Sequence, residues 1–538
     1  MRIPFHPLLF AAFPVLFLFR ENLWGLETKD MVLPISATVG AVLVLQVVFS
    51  LLTRKGRKVA IVLSVSTILF LTYGHIWRVL ADRNDEYLGY NADVVLGSFA
   101  VAILLTTTVL VVRTKSKLRD ATRLMNAFAV AMFATVAIPL AMAIVDGTPA
   151  STAQAGTANV ATDTERKLPN RDIYYLVFDR YAGASSLKEL FGYDNRRFLG
   201  RLESKGFEIA DDARANYQAT APSLASSLNM RYLDWLTEAT KRDPTTSALP
   251  TFRAVNNHRV GKYLQSQGYR YVHIGSRWDI TRDSPIADVN VRLDETSEFT
   301  RVFLGSTALL PAMRNDVLLP PDSDSESMAR AVALRQFDEV KAARRFRGPK
   351  FVFAHFGVPH PPYVFDKHGR FAPGREHGVQ EKARAYFQQL QYTNTRITEV
   401  VDHLLDVPKG REPIIILQAD EGPYPGFGGQ GSAQWWKAPD RKLRTKYAIL
   451  MATYMPGLED TGATEHLSPV NVFRLVFNNY FGTDLRMLGD RSYCPTHKGF
   501  SYDFTEVTDR LDPPRDSKLG PPLYPPYVPV LPQVRRSA

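Results

Sequence analysis

The feature that most constrains this chain is a series of five apolar stretches within its first 146 residues. A helix needs about 20 consecutive apolar residues to cross a bilayer, and four of the stretches come near that length. The first is shorter, but no small-residue cleavage site follows it, so we predict a retained span rather than a signal peptide. The stretches cover residues 7–20, 31–52, 59–80, 93–112 and 124–145.

The charges of the connecting loops predict how these spans are oriented. Loops 53–58 and 113–123 are rich in Lys and Arg, whereas loops 21–30 and 81–93 are mixed or acidic. Because Lys- and Arg-rich loops stay in the cytoplasm, we expect a multi-pass cell-membrane protein with a cytoplasmic N-terminus. Five crossings place everything after residue 146 outside. Part of the net charge of +11 therefore comes from the loops that orient the spans in the membrane. We consequently expect no nucleic acid partner.

The chain divides into four predicted parts. A five-helix transmembrane domain covers residues 1–146, and the small, polar residues 147–169 are typical of a linker. Residues 170–510 form the predicted extracytoplasmic domain, and residues 511–538 form a proline-rich tail. Cys494 is the only cysteine, so the chain has no intrachain disulfide.

Short apolar runs alternate with helix-like segments through the large domain. Runs that are nearly continuous in apolar residues are typical of strands covered on both faces. Their alternation with helices predicts an α/β fold with a mostly parallel central sheet and helices on both faces. The runs cover residues 172–179, 269–276, 350–357, 413–420 and 446–456, and the helix-like segments cover residues 186–206 and 382–405.

Acids and histidines stand at the ends of three of these runs. Asp179 ends the first run, His355 lies near the end of the third with His360 just beyond it, and Asp420 and Glu421 close the fourth. Two adjacent carboxylates repel each other unless a cation or a proton neutralises them. Taken alone, the pair fits a solvated turn, but ligands gather at the carboxyl ends of parallel strands, which favours a cation site.

A Thr-Ala-Pro-Ser sequence at Thr220 completes a family pattern. A Thr before a helix is commonly an N-cap, and the alternative is a nucleophile at a helix N-terminus, where an anion is stabilised. The chain contains, in order, an acid, a nucleophile-x-Pro-Ser motif, a His before prolines, and an Asp-x-Gly motif. This order resembles that of the sulfatase-like branch of the alkaline phosphatase superfamily. The resemblance covers about residues 170–510. With its multi-span anchor, the chain is similar to lipoteichoic acid synthases and phosphoethanolamine transferases.

The resemblance implies a metal-dependent enzyme with Thr220 as its nucleophile. His360 would contact the substrate or donate a proton to the leaving oxygen. His355 would be a second substrate contact or a histidine satisfied within the core. The implied ligands of one divalent cation are Asp179, Thr220, Asp420 and Glu421.

Some positions depart from the family pattern. Glu421 stands where His or Asn is usual. An all-oxygen site favours Mn²⁺, Mg²⁺ or Ca²⁺ over Zn²⁺, and the same change is also compatible with a decayed site. Arg180 follows Asp179 where sulfatases often carry a second Asp. Thr220 cannot become the aldehyde that type I sulfatases use, and Leu224 occupies the position of their arginine.

These observations predict phosphotransfer or phosphodiester hydrolysis on lipid or glycan substrates of the cell envelope, with membrane lipids as partners. Two alternatives stay open: a sulfuric ester hydrolase, and a non-catalytic envelope protein with a decayed metal site. Residues 273–279 (HIGSRWD) are interpreted as a packed loop or as part of the substrate pocket. The oligomeric state is not predicted.

Overall fold

The structure is a computed structural model, and it forms two compact units. One unit comprises Met1–Thr152 with Thr296–Asp324, and the other comprises Ala153–Glu295 with Ser325–Ala538. The predicted linker and most of the predicted tail lie outside the described residues. The structure describes residues 3–21, 28–87, 92–146, 171–240, 248–293, 298–314, 325–372, 378–424, 435–496, 502–512 and 522–524.

Helices account for most of the regular structure. In chain order they are α1 (His6–Glu21), α2 (Thr28–Thr53), α3 (Gly56–Tyr87), α4 (Ala92–Arg113), α5 (Arg119–Asp146), α6 (Ala184–Phe191), α7 (Arg196–Glu203), α8 (Thr220–Asn229), α9 (Asp234–Thr240), α10 (Leu249–Asn256), α11 (Arg259–Ser266), α12 (Glu298–Leu304), α13 (Leu310–Arg314), α14 (Ser325–Ala342), α15 (Val379–Leu405), α16 (Asp440–Tyr447) and α17 (Pro469–Phe481).

The strands form one large sheet and one small one. They are β1 (Ile173–Phe178), β2 (Glu208–Ile209), β3 (Arg270–Ile274), β4 (Val289–Val291), β5 (Lys350–Phe356), β6 (Ile414–Gln418), β7 (Met451–Tyr454), β8 (Tyr493–Pro495) and β9 (Phe504–Glu506). The seven-stranded sheet has the order β2-β7-β6-β1-β5-β3-β4, and β8 pairs with β9. β1 is parallel to β5 and β6, and β3 is parallel to β4 and β5, whereas β7 is antiparallel to β6 and β2. The predicted mostly parallel sheet is confirmed.

The first unit contains the predicted helical membrane anchor. Four of its helices contain segments long and apolar enough to cross a membrane: Asp30–Thr53, Gly56–Leu80, Ala92–Arg113 and Arg119–Met142. The remaining apolar helix, His6–Arg20, is shorter. A fifth crossing and the orientation of the spans remain predictions.

Helices α12 and α13 also belong to this first unit, which the sequence did not indicate. The backbone N–H of Gly74 in α3 donates to the carbonyl of Ser306 at 2.8 Å, and the N–H of Ala308 donates to the carbonyl of Phe70 at 2.8 Å. The ring of Phe299 meets that of Phe19 edge to face, with 5.8 Å between centroids. A short segment inserted in the sequence of the sheet domain is therefore packed against the apolar helices.

The centre of the sheet fixes the position of the predicted site. All six residues of β1 are buried, which is why its sequence is continuously apolar rather than alternating. Val177 of β1 pairs with His355 of β5 on one side and with Gln418 of β6 on the other. The three strands therefore end at the same edge of the sheet.

Two predicted elements differ from the sequence interpretation. The helix-like segment 186–206 is divided between α6 and α7 because Gly192 adopts a left-handed φ of 63° and ends α6. The run 446–456 yields only the four residues of β7. The charged sequence before it continues α16 to Tyr447, so the strand begins after the helix.

Candidate active site

Three buried side chains converge at the carboxyl edge of the sheet. Asp179 follows β1, His355 lies in β5 and Asp420 follows β6, and each offers an atom within 4.8 Å of the others. Among the described residues, Asp179 Oδ1, His355 Nε2 and Asp420 Oδ2 have no hydrogen-bond partner, although all three are buried. Buried polar atoms without partners are rare in proteins, and together these three fit the ligands of a divalent cation.

The ionisation of the two carboxyl groups agrees with a cation site. Burial and then the charge of Asp420 raise the pKa of Asp179 well above its usual range. Burial also acts to raise the pKa of Asp420, but the His355 imidazole, the hydroxyl of Thr220 and the N–H of Arg180 reverse this and lower it. Two carboxylates this close cannot both ionise readily without a cation.

Thr220 is placed beside this group by the start of α8. The N-cap is Ala219, in extended conformation, so Thr220 is the first helical residue rather than the cap. Its hydroxyl lies close enough to Asp420, a carboxylate of the candidate site, to lower the pKa of that carboxyl group. The side chain is partly buried. The structure thus brings together three of the predicted ligands, Asp179, Thr220 and Asp420.

Glu421 is arranged differently from its neighbour. Its Oε1 accepts a hydrogen bond from Nε of Arg180 at 2.8 Å, and its Oε2 lies 2.9 Å from Nζ of Lys446. The ring of Tyr424 lies 4.1 Å from the Arg180 guanidinium carbon and 4.0 Å from Lys446 Nζ. Among the described residues, the group that could hold a metal ion is Asp179, His355 and Asp420. The sequence analysis expected Glu421 among the ligands, and that role stays a prediction.

The backbone around this ion pair is closely constrained. Arg180 has a φ of 61°, a left-handed conformation that is unusual for a residue other than glycine and is concentrated at functional sites. Its N–H donates to Asp420 at 3.1 Å. A Cβ on Gly422 would lie 2.6 Å from the carbonyl oxygen of Lys446 and 2.7 Å from that of Thr445, so only glycine fits there.

His360 lies beyond β5, close to Arg180 and Asp420. Burial, with a further effect of the Arg180 charge, lowers the pKa of His360 to about 3. Its Nδ1 is hydrogen-bonded to the carbonyl of Pro361, an acceptor, so Nδ1 carries the hydrogen and Nε2 is left as an acceptor. A neutral imidazole of this kind suits a substrate contact better than proton donation.

Sequence reasoning missed the roles of Lys446 and Thr281. Lys446 is fully buried between Glu421 and the carbonyl of Gly422, and Thr281 lies 3.1 Å from His355. The signal for Lys446 was a lysine at the end of a charged run just before an apolar one. Thr281 gave no signal, because only the fold brings it to His355.

Residues 188–455 match a protein-family model described as Sulfatase. No curated protein sequence matches the chain.

Three solved structures are similar in fold at low identity. The C-terminal periplasmic domain of EcEptC from Escherichia coli is 11% identical, covering 64% of this chain and 94% of that one, with a TM-score of 0.42. The soluble domain of lipooligosaccharide phosphoethanolamine transferase A from Neisseria meningitidis is 15% identical, with coverages of 60% and 91% and a TM-score of 0.37. Phosphonate monoester hydrolase of Agrobacterium radiobacter is 10% identical, with coverages of 60% and 80% and a TM-score of 0.37.

Proposed function

The chain carries a sulfatase-family domain, as its motifs predicted, and from this premise we propose that it is a membrane-anchored, metal-dependent enzyme with Thr220 as nucleophile. Such a domain makes it a hydrolase or transferase of the alkaline phosphatase superfamily. The proposed reaction is phosphotransfer or phosphodiester hydrolysis on lipid or glycan substrates of the cell envelope, outside the cytoplasmic membrane. The proposed topology has a cytoplasmic N-terminus.

The observation that carries this proposal is the convergence of three partnerless buried atoms beside a hydroxyl group. Asp179, His355 and Asp420 supply the atoms, and Thr220 supplies the hydroxyl. A decayed site would be expected to fill such positions with internal hydrogen bonds or apolar side chains, because unsatisfied buried polar groups are costly.

Thr220 has the surroundings of a nucleophile. Its hydroxyl lies beside the carboxylate of Asp420, whose pKa it lowers. Its position at the start of the ten-residue helix α8 places backbone N–H dipoles where negative charge would develop on Oγ1. A divalent ion held by Asp179, His355 and Asp420 would add positive charge that lowers the pKa of this hydroxyl and stabilises the transferred group.

The charges around the site suit an anionic substrate. With an ion bound, Asp179, Asp420 and Glu421 would carry three negative charges, and Arg180 and Lys446 carry two positive ones that pair with Glu421. The divalent ion would bring the net charge of the loaded site to plus one. Without Arg180 and Lys446, the loaded site would keep a net negative charge and repel a phosphate ester.

The donor set also bears on the metal. The preference for Mn²⁺, Mg²⁺ or Ca²⁺ assumed only oxygen ligands, with Glu421 among them. An imidazole nitrogen with two carboxylates suits Zn²⁺ as well as Mn²⁺, so we propose one of these two ions.

Phosphorus chemistry is favoured over sulfate ester hydrolysis by the nucleophile. Threonine cannot be converted to the aldehyde of type I sulfatases, and the hydroxyl of Thr220 is suited to a covalent phospho-enzyme. A sulfuric ester hydrolase is the second candidate, favoured by the family model.

The test uses the full-length protein purified in detergent. Metal content is measured first, and hydrolysis of bis(p-nitrophenyl) phosphate is compared with that of p-nitrophenyl sulfate. We expect activity on the phosphodiester, lowered by about 10³-fold or more in Thr220→Ala, with a phosphoryl adduct on Thr220 detected by mass spectrometry. An absence of both bound metal and phosphodiester cleavage contradicts the proposal, and cleavage of the sulfate ester alone favours the second candidate.

A further inference from the structure

The imidazole of His355 is held on one side by a hydroxyl group. Thr281 Oγ1 lies 3.1 Å from Nδ1 of His355, and both residues are almost completely buried. On the opposite side of the ring, Nε2 lies 3.7 Å from Asp420 Oδ2, which is beyond hydrogen-bond range. One ring nitrogen is therefore positioned by the protein, and the other faces the candidate ligands.

Thr281 belongs to a turn that fixes its hydroxyl group. Its Oγ1 lies 2.7 Å from Oγ of Ser276. The Ser276 hydroxyl donates to the carbonyl of Trp278 at 3.2 Å and accepts from the N–H of Trp278 at 3.0 Å. The N–H of Thr281 also donates to the Trp278 carbonyl, at 2.9 Å. The hydroxyl facing His355 is consequently held by the turn itself.

These contacts allow a chain of hydrogen bonds that runs from His355 to Trp278. The Ser276 hydroxyl donates to the Trp278 carbonyl, which can only accept, and Ser276 then accepts from Thr281. Thr281 Oγ1 in turn accepts from Nδ1–H of His355, and every hydrogen of the chain lies in a bond of 3.2 Å or less. The reverse direction would place a hydrogen on Nε2, 3.7 Å from Asp420 Oδ2.

We propose that Thr281 is a positioning residue of the candidate metal site. Its hydroxyl accepts Nδ1–H of His355 and keeps Nε2 unprotonated and directed towards the ion. Histidines that bind metals usually donate their other N–H to a protein acceptor, which fixes both the tautomer and the orientation of the ring. This inference rests on the proposed function, because it requires a metal ion at the site.

The turn is anchored in the core behind Thr281. The carbonyl of Thr281 accepts from Nε2 of His273 at 2.9 Å. Nδ1 of His273 lies 3.2 Å from the hydroxyl of Tyr271, which lies 3.2 Å from Nε2 of His258. All of these side chains are buried. Residues 273–279, which the sequence left open between a packed loop and a pocket wall, thus run from the end of β3 into a packed turn that supports the site from behind.

Two substitutions distinguish the effect of the Thr281 hydroxyl from the effect of its side-chain shape. Thr281→Val keeps the branched side chain and removes the hydroxyl, whereas Thr281→Ser keeps the hydroxyl. Thr393→Val is a matched control, because the Thr393 hydroxyl is equally buried but donates to the Gln389 carbonyl within α15.

The dissociation constants for Mn²⁺ and Zn²⁺ are measured on the full-length protein in detergent, and folding is checked by the thermal midpoint in EDTA. We expect Thr281→Val to weaken binding by about 10- to 100-fold, with Thr281→Ser and Thr393→Val close to wild type. Equal affinity in Thr281→Val, or an equal loss in Thr281→Ser, overturns the positioning role while leaving the proposed metal site intact.

Other outcomes are also decisive. If the wild-type protein binds neither ion, the proposed function fails, and the role of Thr281 fails with it. If Thr281→Val does not fold, Ser276→Ala decides instead, because it removes the acceptor that orients the Thr281 hydroxyl. Unchanged ion binding in Ser276→Ala then overturns the inference.

Discussion

The carboxylate of Glu421 lies 2.9 Å from Nζ of Lys446, with 2% and 0% of the two side chains exposed. With Arg180 on its other oxygen, Glu421 is a buried anion that is fully paired with cations. Its neighbour Asp420 instead has Oδ2 3.7 Å from Nε2 of His355 and belongs to the candidate metal group with Asp179. Adjacent acids of the sequence thus have different surroundings, and substitutions at the two positions should separate their roles.

Glu421→Gln should lower stability without changing metal binding, whereas Asp420→Asn should abolish metal binding. Removing the charge of Glu421 leaves Arg180 and Lys446 buried without their counter-ion, so we expect a loss of about 3–5 kcal/mol in the free energy of unfolding. The metal content per chain should be unchanged. Asp420→Asn should remove the metal. Metal analysis and urea unfolding measure both, and loss of metal in Glu421→Gln with retention in Asp420→Asn would instead support Glu421 as the ligand.

Asp179→Asn should remove metal binding without destabilising the metal-free protein. Burial and the charge of Asp420 raise the pKa of Asp179, so the neutral amide relieves an unfavourable pair when no ion is present. In EDTA the thermal midpoint of the variant should equal or exceed that of wild type. Mn²⁺ or Zn²⁺ at 100 times its dissociation constant should stabilise wild type by about 2.7 kcal/mol and the variant by none. A thermal midpoint of Asp179→Asn in EDTA clearly below that of wild type would contradict this account.

His258 should contribute to acid unfolding of the sheet domain. Burial lowers its pKa to about 3, whereas in the unfolded chain it titrates near 6.5. As the pH falls from 6.5 towards 3, only the unfolded chain takes up the proton, so stability should fall by up to about 1.4 kcal/mol per pH unit. His258→Asn keeps an acceptor for the N–H of Gly261, which the His258 ring now accepts at 3.0 Å. The stability of the His258→Asn variant should depend less on pH below 6.5. If its unfolding free energy falls with decreasing pH as steeply as that of wild type, His258 does not contribute to acid unfolding.

Gly74→Ala should loosen the inserted segment from α3. A Cβ at this position would lie 2.2 Å from the carbonyl oxygen of Gly305, so the chain there has to move. Amide hydrogen exchange of the segment carrying Ser306 and Ala308 should become faster. Gly40→Ala is the matched control, because nothing lies within 4 Å of its added Cβ in α2. Equal exchange in the two variants would show that the close approach at Gly74 does not hold the segment.

Much of the fold was determined by local sequence. Continuous apolar runs such as 172–179 can only be satisfied by burial on both faces, and their alternation with helices specified a mostly parallel sheet. The apolar stretches of the first 146 residues likewise specified helices, because an apolar segment in a bilayer has to satisfy its backbone internally. The convergence of Asp179, His355 and Asp420 followed from the same rule, since parallel strands end at a common edge.

Only the tertiary structure decided the partners of those residues. Glu421 and Asp420 are adjacent acids in the sequence. Their surroundings differ because the side chains of Arg180 and Lys446, 241 and 25 residues away from Glu421 along the chain, form their ion pairs with Glu421. The contact of Thr281 with His355 and the packing of Phe299 on Phe19 likewise join residues 74 and 280 positions apart. Sequence patterns specify which groups are buried, but which charge or hydroxyl meets them depends on long-range packing that leaves no local periodicity.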